Sequence, residues 1–385
     1  MKRAMTSMGN RSIPFALAFM IVPCTGYAQL AVSANDAKVS LKNGATVVNP
    51  HPVPDTATIL DLSVFPPRLL GTVEAPASVI GPPQSVAIAP DESFALVTGA
   101  TKLDPADPSK TVPNDALTVI DLKTRKVIAT LRAGQGASGV SISPDAKLAL
   151  VANRAEGTIS IFTISGMTLT LAAKIALGDA KSGPSHVVFT PDGKAALVTR
   201  DGDNKISVLA IDGAAVTYTG QDISAGIRPY GIVMSSRGDF AYVANIGAGP
   251  GDAATVSVIA LEPKPARVVN TISVGPTPEG LALSPSGTLL AVTVMNGSNQ
   301  PASSPFFHDF GLLKVYRVNG VHLTQVAEAH IGHWCQGAAW NRAATVLLAQ
   351  CMADNRIELF RFDGKHLKRA GAIPIAGPAG IRTAR

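Results

Sequence analysis

Four side chains in the middle of this sequence have acid–base or charge-neutralising chemistry: His186, Asp201, Arg228 and Glu279. A histidine–carboxylate pair can take a proton from water as it attacks a carbonyl, and an arginine can neutralise the oxyanion that forms. His186 and Asp201 stand fifteen residues apart (201 minus 186). Glu279 sits between Pro278 and Gly280 with no partner near it in sequence. It is expected to pair with Arg228 or Arg200; as a base it would need a raised pKa.

What positions these groups is a repeat. The run Gly183-Pro184-Ser185-His186-Val187-Val188-Phe189 leads into the turn Pro191-Asp192-Gly193-Lys194 and a second apolar run, Ala195–Val198. Proline presets φ at the first turn position and glycine takes a geometry that a Cβ resists, so the stretch reads as a β-hairpin. Aligned on Val187, the pattern recurs at Val86, Val140, Ile232, Leu281 and Ala338, and a seventh copy starts at Gly377. A period in the forties and fifties with two hairpins per unit predicts an all-β, seven-bladed β-propeller of four-stranded antiparallel blades.

The position before each landmark reads Ser85, Gly139, His186, Gly231, Gly280, Gly337 and Gly380. Glycine prevails where seven strands converge on a central channel, and His186 is the bulky exception. One residue earlier come Gln84, Ser138, Ser185, Tyr230, Glu279, Gln336 and Ala379. With Arg154, Arg200, Asn245 and Asn296 beyond the second strands, these predict a polar mouth suited to a small polar or anionic ligand or a partner's loop. Ordered water could satisfy the same groups.

The chain ends carry their own signals. Lys2, Arg3 and Arg11, then an apolar stretch from Ile13 to Val22, then Gly26-Tyr27-Ala28, form a secretion signal cleaved before Gln29. Residues 29–385 then form a single domain that is periplasmic or secreted. Cleavage removes three basic residues and no acid, so the net charge falls from +6 (33 minus 27) to +3 (30 minus 27). That is too weak for a nucleic-acid partner, and no later apolar run is long enough for stable membrane insertion. Cys335 and Cys351 face each other across a hairpin centred near Ala343 and are expected to form a disulfide, two separate buried thiols being the alternative. No metal set, phosphate loop, nucleotide fingerprint or haem motif is spaced to match, so no cofactor is expected, and a monomer is the default.

In the first unit, Ala45-Thr46-Val47-Val48-Asn49 reads as a second strand, Thr58–Leu62 as a third and Arg68–Val73 as a fourth, with residues 29–44 a mobile tail or the end of an outer strand. The C-terminal strand from Gly377 supplies the missing first strand, so both termini close the ring in one blade. Two connections stand out as long, Ala100–Asp115 and Met295–Gly311, and long mouth loops are where specificity or mere decoration resides.

The motif G-x-x-P-x-G-[VIL] with A-[LY]-V-[AT]-N, as in Arg228-Pro229-Tyr230-Gly231-Ile232 and Ala241-Tyr242-Val243-Ala244-Asn245, resembles the YVTN family of seven-bladed propellers over nearly all of residues 29–385. The stretch Gly183–Phe189 with Pro191–Lys194 is similar to the propeller lactonases of the 6-phosphogluconolactonase and carboxymuconate-lactonising type. That second resemblance implies a catalytic His186 and, fifteen residues on, a carboxylate at Asp201, although Ser185 and Arg200 depart from the family's Arg and Asn. Because propellers host unrelated activities, the leading expectation is a periplasmic binding or scaffold protein recognising a small polar ligand or a periplasmic protein. A lactone hydrolase using His186 and Asp201, with Glu279 and Arg228 assisting, is the alternative. A propeller subunit of a redox enzyme is the third.

Overall fold

The computed structural model describes residues 29–249 and 251–384, together with Met1. Apart from Met1, the expected secretion signal lies outside the described residues. Seven four-stranded antiparallel sheets make the ring, each running in chain order from an inner strand a to an outer strand d. Blade 3, for example, is Pro184–Phe189, Ala195–Arg200, Lys205–Asp212 and Ala215–Ser224. Blade 7 is shared: its inner strand, Pro378–Thr383, pairs with Leu30–Asn35, which pairs with Thr56–Asp61. The ring therefore has no open sheet edge at its seam.

Alternation along each strand buries one side chain in two against each neighbouring blade. Phe162 packs between blades 1 and 2, and Phe360, Phe362 and Trp340 pack between blades 5 and 6. Cys335 and Cys351 occupy one register position of blade 6 and are joined by a disulfide, S–S 2.01 Å.

Two segments differ from their sequence reading. Strand b of blade 7 is Leu30–Asn35, fully buried, whereas Ala45–Val48 pairs with Val39–Lys42 in an extra hairpin inserted between strands b and c. The Ala-x-Val-x-Asn likeness at residues 45–49 misled. The true equivalent ends at Asn35, whose Nδ2 donates to Thr56 and Thr58, as Asn153 does to Thr158 and Ser160. Between Ala100 and Asp115 the chain is not a loose loop. Strands Phe94–Leu103 and Thr111–Asp121 run on as a paired ribbon closed by residues 104–110.

Candidate functional site

At the channel the repeats break their own alternation. On strand a of blade 3, Pro184 pairs with Arg200 and Val187 with Val198, leaving Ser185 and His186 together opposite Thr199. The same two-against-one bulge occurs in blades 2, 4, 5 and 6. A bulge re-aims side chains. It sends the first residue of each pair towards the mouth and the second into the channel wall. Glycine at the second position is a steric requirement: a Cβ on Gly139 would lie 2.6 Å from the Cα of His186, and one on Gly231 would lie 2.5 Å from the Glu279 carbonyl oxygen. A threonine opposite the bulge ties blade to blade. Thr199 Oγ1 donates to the Tyr230 carbonyl at 2.6 Å, and Thr98 and Thr293 reach the carbonyls of Ser138 and Gln336 in the same way.

The bulge separates the expected pair. His186 accepts a hydrogen bond at Nδ1 from the Ile232 amide (3.3 Å) and lines a cavity of about 430 Å³ among the a–b turns, beside Val188, Met234 and Trp340. Asp201 lies at the other end, in a cavity of about 650 Å³ on the mouth over blades 1 to 4. Its partners are Arg154 Nη2 at 2.8 Å, Ser185 Oγ at 3.0 Å and Arg228 Nη2 at 3.6 Å. The lactonase resemblance put His186 and Asp201 together; the extra residue in strand a points them into different cavities.

Glu279 is buried without an ion pair, contrary to the expected bridge to Arg228 or Arg200. Its Oε2 accepts from Gln336 Nε2 (2.5 Å), which also reaches the Val79 carbonyl at 3.3 Å. Burial pushes the Glu279 carboxyl up to about 8, against the pull of Gln336, Arg228 and Arg154. Burial likewise raises the Tyr230 phenol, so it stays protonated at neutral pH. The Arg154 guanidinium stands 5.4 Å from the Tyr230 ring centroid and also donates through Nη1 to Ser185. Asp201, Arg154, Tyr230, Glu279 and Arg228 thus form one electrostatic unit. Gln84 and Ser138 are buried at the same level, and Gln84 Oε1, Ser138 Oγ and Gln336 Oε1 have no protein partner.

The remaining expected ligand residues have partners within the protein. Arg200 occupies the strand-end position held by Asn153 and Asn245 elsewhere, and its guanidinium is consumed by Asp203, Asp222, Ser207 and Ser182. Asn245 clamps strand c through Thr255 and Ser257. Asn296 donates to the Phe310 carbonyl and pins the 295–311 loop. Among the described residues, Cys351, Asp354 and Glu358 are the group close enough to suggest a metal site, yet Cys351 is in the disulfide and Arg356 and Arg369 hold Glu358.

A family model described as "Lactonase, 7-bladed beta-propeller" matches residues 110–213 and 178–301, a span that includes Arg154, Ser185, Asp201, Arg228, Tyr230 and Glu279. The chain is similar to the seven-bladed lactonase propellers. No curated protein sequence matches it. Among solved structures, a candidate 6-phosphogluconolactonase from Bacteroides uniformis is 16% identical with a TM-score of 0.71, covering 92% of this chain and 99% of that one. The periplasmic gluconolactonase of Pseudomonas aeruginosa is 17% identical with a TM-score of 0.66, covering 92% and 98%. A functionally unknown protein from Desulfotomaculum acetoxidans is 17% identical with a TM-score of 0.68, covering 92% and 99%. At these identities the structural neighbours speak to the fold.

Against the lactonase resemblance, the bulge and the threonine ties are what sequence reading missed. The ties were visible only as a Thr in strand b, at Thr98, Thr199 and Thr293. The inserted hairpin did leave a signal. Asn43-Gly44, with φ of 48° and 78°, is the two-residue turn that most strongly marks a hairpin.

Proposed function

We propose that this protein is a lactone hydrolase whose site is the Arg154–Asp201–Glu279 region of the channel mouth. The observation that carries the proposal is that the lactonase-family match contains every one of these residues. Glu279, as carboxylate, would take a proton from water as its oxygen attacks the ester carbonyl. The tetrahedral oxyanion would face Arg154, two of whose five N–H groups are engaged by Ser185 and Asp201. Collapse breaks the ring C–O bond, and the Glu279 proton passes to the leaving alkoxide, giving a hydroxy-carboxylate. Asp201 is then a positioning residue that holds Arg154, rather than the base the lactonase resemblance implied.

The binding-protein and redox-subunit readings have less support, because the family match points to a hydrolase. The Cys335–Cys351 disulfide and the N-terminal signal pattern support a location outside the cytoplasm, in the periplasm. We take the working form to be a monomer acting on a small molecule.

The test is hydrolysis of a lactone panel by the purified protein, with Arg154→Ala and His186→Ala alongside. Turnover lost in Arg154→Ala and kept within a few-fold in His186→Ala is expected. Loss confined to His186→Ala would return the chemistry to the other end of the channel.

A further inference from the structure

The lining of the mouth cavity, above the buried Glu279, carries more information than the presence of an arginine. Three cations, Arg154, Lys181 and Arg228, line it against one acid, Asp201. Such a cavity favours an anion. Neutral hydrogen-bonding side chains are few: Thr101, which pairs with Ser78, Thr111, and Asn204, whose Oδ1 accepts from the Arg228 amide. A polyol would find few partners here.

The rim is apolar instead. Ile80 and Ile227 line the same cavity from the loops before blades 1 and 4, and they are 42% and 50% exposed. Most other exposed large apolar residues sit on outer strands or turns, such as Leu69, Ile128 and Leu171. These two loops are held in place. The Ile227 carbonyl accepts from the Gly247 amide at 3.1 Å, and the Ile80 amide donates to Ser78 Oγ at 3.0 Å. The described lining has no aromatic ring.

We propose that this cavity takes an amphipathic lactone with an aliphatic arm. On ring opening, the product's carboxylate faces Arg154, Lys181 and Arg228, and its arm lies across Ile80 and Ile227. This substrate class rests on the hydrolase reading; the pocket chemistry beneath it does not.

The experiment is calorimetric titration of the purified protein with straight-chain carboxylates from acetate to octanoate, and with gluconate as the polyol anion. Affinity should tighten about two- to fourfold per added methylene while the chain covers the rim. Octanoate should bind at least about tenfold tighter than gluconate. Ile80→Ser and Ile227→Ser, both at exposed positions, should each flatten the ladder with unchanged melting temperature. A flat ladder, tighter binding of gluconate, or a ladder indifferent to both variants overturns the proposal. Running γ-alkyl lactones beside gluconolactone separates the two claims. Turnover with no gain from the alkyl arm would sink the substrate class and leave the hydrolase. A carboxylate ladder with no turnover of any lactone would sink the hydrolase and leave the amphipathic-anion pocket.

Discussion

The two halves of the channel mouth are built from the same repeat and finished in opposite ways. Over blades 5 to 7 the mouth is covered. The inserted hairpin Val39–Val48 lays Val39 on Val79, Met295, Trp334, Met352 and Ala379. Beneath it, Lys38 Nζ is buried between Asp36 (3.0 Å), Asp55 (2.9 Å) and the Ala77 carbonyl (2.6 Å). The 295–311 loop meets the hairpin tip, with Pro301 against Gly44, and is fastened by His333 between Asp309 (2.8 Å) and Asp354 (2.9 Å). Over blades 1 to 4 the extended ribbon of blade 1 stands as a wall, its Ala100, Thr101 and Pro113 lining the cavity with Arg154, Asp201 and Arg228, which stays open. A propeller ring is nearly symmetric, so a site needs something to distinguish one sector. Here insertions close one side, and bulge residues furnish the other.

This contrast can be broken most forcefully at Lys38. Lys38→Met removes the cation between Asp36 and Asp55 and leaves these carboxylates to their backbone N–H donors, and loss of one member of such a buried network costs about 3–5 kcal/mol. Thermal unfolding should show a large fall in melting temperature. If the covered side is only a lid, residual lactone turnover below the new midpoint should persist. Removing the disulfide with Cys335→Ser and Cys351→Ser opens a closure sixteen residues long, worth about 3 kcal/mol. Denaturant titration would read that loss, again with the open site intact. At the hairpin tip, Gly44→Ala places a Cβ at φ +78°, 2.5 Å from Pro301 Cδ. The expected cost is about 1 kcal/mol, read as a small shift in melting midpoint.

On the open side the most diagnostic stability effect is one of pH. The Glu279 carboxyl sits at about 8 in the fold because of burial, against the usual 4.5. Between those values the folded state holds a proton that the unfolded chain has released, so stability must fall as pH rises from about 4.5 to about 8. Glu279→Gln removes that dependence. Melting curves of both proteins across this window would measure it; parallel slopes would mean Glu279 is not buried as described.

How much of this could be read beforehand follows from the physics of each part. The turn residues Pro191-Asp192-Gly193 and the alternating runs specify hairpins locally, so the seven blades and the shared terminal blade were legible. The Cys335–Cys351 pair was legible because a hairpin register follows from its turn. The site was only half legible. Glu279, Tyr230, Gln84, Ser138 and Gln336 were singled out because each stands one residue before the channel's glycine position, and Arg154 because it stands just past a strand end. Their roles were not, because a bulge adds one residue to strand a and breaks the period-two rule on which any pairing of His186 with Asp201 depends. Arg200 misled for a related reason: its charge suggested a ligand, while its position is that of the structural Asn153 and Asn245.

The most direct test of the central claim is the pH dependence of kcat/KM for lactone hydrolysis by the wild-type protein, Glu279→Gln and His186→Ala. A base at Glu279 predicts a rate that climbs with an apparent pKa near 8, at least about a hundredfold loss in Glu279→Gln, and an unchanged profile in His186→Ala. A profile that survives Glu279→Gln and disappears with His186→Ala would contradict the account and put the reaction in the cavity at the opposite end of the channel.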